Sequence, residues 1–472
     1  MMNEILSLDA TGQAERIAAG DVSPIELLDA TIARCEERNP VLNAVTVKFY
    51  DMARDAVKAG RVPSGPFHGV PFLLKDFYAH KADTPTTASS ALLAGGVMDH
   101  DSILTERFEA AGFVIFGKTN VPEMVSIGTT EPLLYGPSRN PVDAEHTPGG
   151  SSGGAAAAVA GGIVAAAHAN DGAGSTRIPA SYCGLFGLKP SRARITLGPD
   201  VGESIGGITS EHVVTRSVRD SAGILDATKG AAPGDPYVAP AFSGSYLDSL
   251  HRPLSCLRVA VSIDPFFDGC TTDPQVGAQV LKAAALLQSM GHEVSETATP
   301  INPAEFREVF TRFWPITVSR AAFGLAAARN TSVAEIARQM EPINQHMISL
   351  GIDLPAVQYV TDLVHFQDLA RRMGTFFQQV DVMLTPTVIH PAPKLGYYDV
   401  DRIGAGRAYD RVMDSFAFTC LANVTGLPAA SVPFGHTKEG LPVGIQITAA
   451  LGQEDLLLRL AASIEKQFRQ EA

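Results

Sequence analysis

Residues 147–169 read TPGGSSGGAAAAVAGGIVAAAHA, and this stretch constrains the fold more than any other. Paired glycines flank two serines, and from Gly153 to Ala169 almost every side chain is absent, a methyl or a small branched group. The run is too rich in Gly and Ala to compete as a membrane span. It is also too apolar for a solvated linker. The reading is a buried helix, entered by a tight backbone turn at Gly149–Ser152. Free N–H groups at such a helix start favour nearby negative charge. A phosphate-binding loop would need Gly-Lys-Ser/Thr at its end or G-x-G-x-x-G after a strand, and neither is present.

Around this block, short apolar runs alternate with helical patterns. Strands are predicted at 69–74, 113–116, 257–263, 380–384, 430–434 and 444–448, and helices over the first forty residues. Asp9 and Ser23, the latter followed by Pro24-Ile25-Glu26, are helix starts, and Leu27, Leu28, Ile32 and Cys35 form an apolar stripe. Interleaved strands and helices predict an α/β fold: a large mixed, twisted sheet covered by helices on both faces. Residues 300–379 differ, being mostly helical. Asn302-Pro303-Ala304-Glu305 reads as a capping box, and another long helix is expected from Pro355 to about Phe377. This block is read as a pocket-forming insertion or cap within one domain spanning 1–472.

The formal charge of −13, without a run of Lys and Arg, argues against a nucleic-acid partner. Cys35, Cys183, Cys256, Cys270 and Cys420 are scattered and never form C-x-x-C, which fits reduced thiols in a cytoplasm. MMNEILSLDA has no basic or apolar leader pattern, so no signal peptide and no membrane association are read. No carboxylate or histidine group has metal-ligand spacing, so neither metal nor cofactor is expected.

Two segments match G-x-S-x-G, the strand-to-helix nucleophile turn. One is 202–206 around Ser204, but Gly198-Pro199-Asp200 before it signals a loop where a strand is needed. The other is 149–153, with Ser151 and Ser152. A third candidate lies in 168–181, HANDGAGSTRIPAS, where Ser175 follows Gly172-Ala173-Gly174. A serine is a weak nucleophile without a base, so the chemistry turns on what removes its proton.

GGSSGG at 149–154, with Asp171, Gly174-Ser175 and Arg177-Ile178-Pro179, resembles the amidase signature family. Gly69-Val70-Pro71 through Lys75-Asp76, Gly117-Lys118-Thr119-Asn120, Arg139-Asn140-Pro141 and Gly187-Leu188-Lys189-Pro190 fit it too. So do Asn423–Pro428 and Gly440–Gln446. The resemblance spans nearly the whole chain outside 300–379. It implies a serine hydrolase of amide C–N bonds with a serine, a serine after a cis peptide bond, and a lysine. By position these are Ser175, Ser151 and Lys75, with Lys189 the rival base in a structural motif. The resemblance further implies an oxyanion hole from the backbone N–H groups of Gly172, Ala173, Gly174 and Ser175. Asp171, Arg177, Gly150 and Ser152 then support the loop. Acting as a base near neutrality requires the lysine pKa to fall by roughly three, about 4 kcal/mol against the ammonium form, and burial pushes that way.

Two departures stand out: Gly172-Ala173-Gly174 replaces the family's usual Thr-Gly-Gly, and Thr176 replaces an aliphatic residue. This loop and the N-terminal segments are most similar to the branch holding nylon-oligomer and urethane-cleaving hydrolases. The substrate implied is a small apolar or xenobiotic-like amide or carbamate (nylon oligomer, anilide or urethane). A glutamine-using amidotransferase subunit is the alternative within the family, and a monomer or homodimer is expected. Phe310, Phe313 and Trp314, with Met124 and Ile127, are the candidate pocket wall.

Overall fold

In this computed structural model residues 1–471 are described, with side-chain surroundings for 1–467. The strands are β1 (Val45–Lys48), β2 (Pro71–Lys75), β3 (Val114–Thr119), β4 (Ala166–Asp171), β5 (Phe186–Lys189), β6 (Ser210–Thr215), β7 (Arg258–Val261), β8 (Glu293–Glu296), β9 (Val382–Pro386), β10 (Ala429–His436) and β11 (Pro442–Ala449). They form one 11-stranded sheet in the order β1-β3-β2-β4-β6-β5-β10-β11-β9-β7-β8. β2 is parallel to β3 and β4, whereas β4–β6, β6–β5, β5–β10 and β10–β11 are antiparallel, so the sheet is mixed as expected.

Side chains on β2 alternate between two cores. Phe72 and Leu74 join the apolar layer that includes Phe108, Ile224 and Leu458, while Leu73 joins the layer built on Ala155–Val159. This is the period-2 signature of a strand buried on both faces.

The small-residue run is not one helix. It makes a helix over Gly153–Ala160, turns at Gly161-Gly162, and returns as β4. Gly162 has φ +70°, a conformation that ends the helix there. Ala166–Asp171 is then claimed by the sheet, between β2 and β6. Close approach still explains the composition. A Cβ on Gly154 would lie 2.5 Å from the backbone N and O of Asn120, and one on Gly153 would collide with the Thr130 hydroxyl.

Ser23 and Glu26 form the reciprocal capping box, and Asp9 caps the preceding helix. Asn302 caps only one way: its side chain accepts the Glu305 N–H, while Glu305 lies 3.5 Å from His365. The 300–379 block holds helices at Pro303–Phe313, Ile316–Ala328, Val333–Ala337, Pro342–Gly351 and Ala356–Gln379. They share one apolar core with Tyr409, Val412, Phe416 and Leu421.

Candidate active site

Because β2 and β4 run parallel, Lys75 at the end of one and Asn170-Asp171 at the end of the other reach the same sheet edge. β6 runs the opposite way and begins there, setting Glu211 across from Asn170. Ligands gather at the carboxyl ends of strands in such sheets. Lys75 is fully buried. Its Nζ lies 2.7 Å from Ser151 Oγ and donates to Asn170 Oδ1, with the Asn170 carbonyl at 3.5 Å. Burial lowers its pKa from 10.5 to about 7, against the opposing pull of Glu211 and Asp171.

The Gly149–Ser152 turn brings Ser151 to that amine, with a cis peptide bond between Gly150 and Ser151. Gly149 has φ +84°, and a Cβ on Gly150 would collide with the Thr129 backbone. Both glycines are therefore dictated by geometry. Ser152 ties the turn to its neighbours: its N–H reaches the Ser175 carbonyl at 3.2 Å, and its hydroxyl reaches the Asn170 carbonyl at 3.2 Å.

The segment between β4 and the Arg177–Tyr182 helix carries Ser175. Asp171 anchors one end of it. Its carboxylate accepts from Arg177 Nε and Nη2 at 2.9 Å each, from Asn423 Nδ2 at 2.9 Å and from the Thr176 N–H at 3.2 Å. Burial would raise this carboxyl, but the Arg177 charge and these hydrogen bonds hold it at about 2. Arg177 also donates 2.8 Å bonds to the Thr419 carbonyl and Gln446 Oε1, and a 2.6 Å bond to Asn423 Oδ1. Among the described residues, the N–H groups of Gly172, Ala173, Gly174 and Ser175 have no recorded acceptor. Gly174 has φ +138°, and a Cβ there would collide with Thr419, whose hydroxyl donates to the Ala173 carbonyl.

The buried Asp171–Arg177 pair gives a stability prediction. Asp171→Asn leaves a buried guanidinium without its counter-charge, a loss of about 3–5 kcal/mol expected in urea unfolding. The sign in acid follows from the lowered carboxyl. Its stabilisation is complete above the unfolded value of 3.8 and is lost as pH falls through about 2.

A cavity of about 390 Å³ opens over this edge, with Ser151, Asn170, Gly172 and Ser175 in its floor. Its walls are mostly apolar, from Phe77, Leu93, Met124, Ile205, Trp314 and Leu325. Among the described residues Ser175 Oγ makes no hydrogen bond, none to Ser151 included, and it faces this space. Ser204 reaches the same cavity but bonds to the Tyr78 hydroxyl at 2.9 Å, not to a base. Lys189, with its pKa also lowered to about 7 by burial, donates to the Pro190 carbonyl at 2.7 Å and lies outside the cavity.

The expected pocket wall is corrected in part. Met124 and Trp314 line the cavity, and the indole Nε1 donates to the Ser126 carbonyl at 3.0 Å. Phe310 and Phe313 do not line it. Their helix turns them into the core, where Phe310 meets Phe267 and Phe306, and Phe313 meets Tyr359 and Phe366. Ile127 faces a separate cavity beside Glu131 and Glu341. Sequence reasoning missed the next helix, whose Thr317, Arg320, Ala321, Gly324 and Leu325 face the cavity at helical spacing. That 3–4 period was the available signal.

With this geometry in place, the comparisons with known proteins are direct. The Amidase family model matches residues 26–458, so the chain belongs to the amidase signature family, hydrolases of carbon–nitrogen bonds. It is similar to the 6-aminohexanoate-cyclic-dimer hydrolase of Paenarthrobacter ureafaciens, 36% identical over 468 residues, which is 97% of this chain and 94% of that protein. A solved structure of 6-aminohexanoate cyclic dimer hydrolase superposes with a TM-score of 0.92 at 36% identity, covering 98% of this chain and 97% of that one. A bacterial aryl acylamidase of the same family superposes with a TM-score of 0.87 at 26% identity, covering 97% and 96%.

No helix among the described residues is long and apolar enough to cross a membrane, and no group of three or more His, Cys, Asp or Glu side chains among them is arranged to hold a metal ion.

Proposed function

We propose that this protein hydrolyses small apolar amides, and carbamates of the same shape, through an acyl-enzyme on Ser175. The observation that carries the reading is the 2.7 Å contact between Lys75 Nζ and Ser151 Oγ, in the floor of the cavity that Ser175 shares. Neutral Lys75 takes the Ser151 proton as Ser151 takes that of Ser175, and Ser175 Oγ attacks the carbonyl carbon. The relay requires Ser175 Oγ to swing towards Ser151 as substrate is seated. The open N–H groups of 172–175 receive the oxyanion, each donor worth about 3 kcal/mol in the transition state. Collapse breaks the C–N bond, and the amine leaves with a proton returned through Ser151. Water, activated along the same path, releases the acid and restores the serine. A carbamate adds one oxygen beside the carbonyl and leaves this attack geometry intact.

The apolar walls favour an aryl or polymethylene substituent over a small polar one such as glutamine's. The amides named for the two similar solved structures, a cyclic aminohexanoate dimer and an aryl acylamide, have that character. The test is amine release from linear and cyclic aminohexanoate oligomers, anilides and aryl carbamates. Turnover of at least one class is expected. Release of ammonia from glutamine alone, dependent on an added partner, would replace this reading with an amidotransferase subunit. Trp314→Ala is expected to raise KM for aryl substrates about tenfold, roughly 1.4 kcal/mol of lost apolar contact.

A further inference from the structure

The groups around Lys75 contain one negative charge that the reaction above leaves without a task. Glu211 is 2% exposed, and among the described residues it pairs with no lysine or arginine. Its two oxygens meet His168 Nε2 at 2.6 Å and Asn170 Nδ2 at 3.3 Å. His168 Nδ1 accepts the Lys75 backbone N–H at 3.1 Å, so the ring proton sits on Nε2 and the imidazole is neutral. Asn170 is oriented by both neighbours: its amide nitrogen donates to Glu211, and its oxygen accepts from Lys75 Nζ. A carboxylate buried beside two neutral donors is costly unless a cation shares its surroundings. The group that becomes a cation one amide away, on taking up a proton, is the lysine.

We infer that Glu211 is a positioning residue for the reaction: through Asn170 and His168 it fixes the Lys75 amine and supplies the buried negative charge that the amine needs on taking up a proton. The inference rests on Lys75 being the base for Ser175. The positions of the oxygens around the amine suit its neutral form as well as its charged one, in which Nζ donates to Ser151 Oγ. Asn170's side-chain and backbone oxygens accept the two hydrogens of the neutral amine, which turns the lone pair towards the Ser151 hydroxyl at 2.7 Å.

Other charged groups near the amine are committed elsewhere. Asp171, on β4, is held by Arg177 and Asn423. Asp76, next to Lys75, is taken by the Thr87 N–H and hydroxyl. Lys189, on β5, points to the Pro190 carbonyl, and His212, beside Glu211, points to Ser221. Burial pushes the lysine pKa down. The Glu211 charge, and after it that of Asp171, opposes this and leaves the pKa at about 7, the region where a general base works best.

The test measures the second-order rate of Ser175 phosphonylation by an alkyl fluorophosphonate between pH 5 and 9, on the full chain. The Ser175 Oγ–P bond forms, the P–F bond breaks, fluoride leaves, and the serine proton passes through Ser151 to Lys75. The wild-type rate is expected to rise through about pH 7. Glu211→Gln is expected to move that rise about one pH unit lower and to reduce the plateau about tenfold. Asn170→Asp, which sets a carboxylate directly on the amine, is expected to move the rise upward. A merely structural role predicts slower reaction with the rise unmoved, and that result in either folded variant overturns the inference. Should Glu211→Gln fail to fold, the upward shift in Asn170→Asp decides. Loss of the pH dependence in Lys75→Met is required by the base assignment itself. A Lys75→Met protein that still rises through pH 7 would defeat that assignment first, and is distinguishable from failure of the Glu211 inference alone.

Discussion

Ser175→Ala is expected to release amine at least about 10⁴-fold more slowly than wild type while unfolding within a few degrees of it. The two halves of this expectation have separate causes. In the proposed acyl-enzyme the Ser175 hydroxyl forms the covalent bond to the substrate acyl group, so its loss removes that route. Its oxygen has no hydrogen-bond partner among the described residues and faces a cavity, so deleting it leaves no partner there unsatisfied. Circular dichroism and a thermal melt check the fold, and amine release checks the chemistry. Ordinary turnover by a correctly folded Ser175→Ala protein would dispose of the acyl-enzyme. Gly174 offers an independent handle, because a side chain at φ +138° that also collides with Thr419 should displace the whole loop.

Lys75→Met is the second large effect, with kcat/KM expected to fall about 10²–10⁴-fold, the usual worth of a positioned base. Wild-type activity should climb as pH rises through about 7, where the ammonium becomes a free amine, and the methionine variant should lack that climb. The same group shapes stability. The unfolded chain holds the lysine proton up to about 10.5 and the folded chain only below about 7. Between those limits the unfolded state binds more protons, so stability increases with pH across that window, and Lys75→Met removes this share of the slope. A rate unchanged from pH 6 to 9 in single-turnover measurements would count against a lysine base.

The catalytic candidates were legible because their constraints are local. A glycine that must sit at positive φ or touch another backbone leaves its mark in the chain, as Gly149, Gly150 and Gly174 do. The strand network behind Lys75 was not read, because it depends on register between β4 and β6. His168 and Asn170, alternating with Ala167 and Ala169, were a period-2 polar stripe in an apolar segment, and that was the signal available. Gly153–Ala169 reads as one helix in the sequence because a run of alanines carries no periodicity to separate helix from strand. Phe310 and Phe313 read as pocket residues in the sequence only through their proximity to Trp314 along the chain. Phe310 instead stacks behind the Trp314 indole, with ring centroids 5.6 Å apart, and Phe313 packs on Tyr359 and Phe366, so the tryptophan alone of the three reaches the cavity.

Arg177 reaches across the molecule to Thr419, Asn423 and Gln446, and Thr419 in turn holds Ala173. A nascent polypeptide emerging from the ribosome therefore carries the Ser175 loop for more than 240 residues before the parts that shape it exist. The shape of that loop waits on contacts of very long sequence separation, which are slow to form.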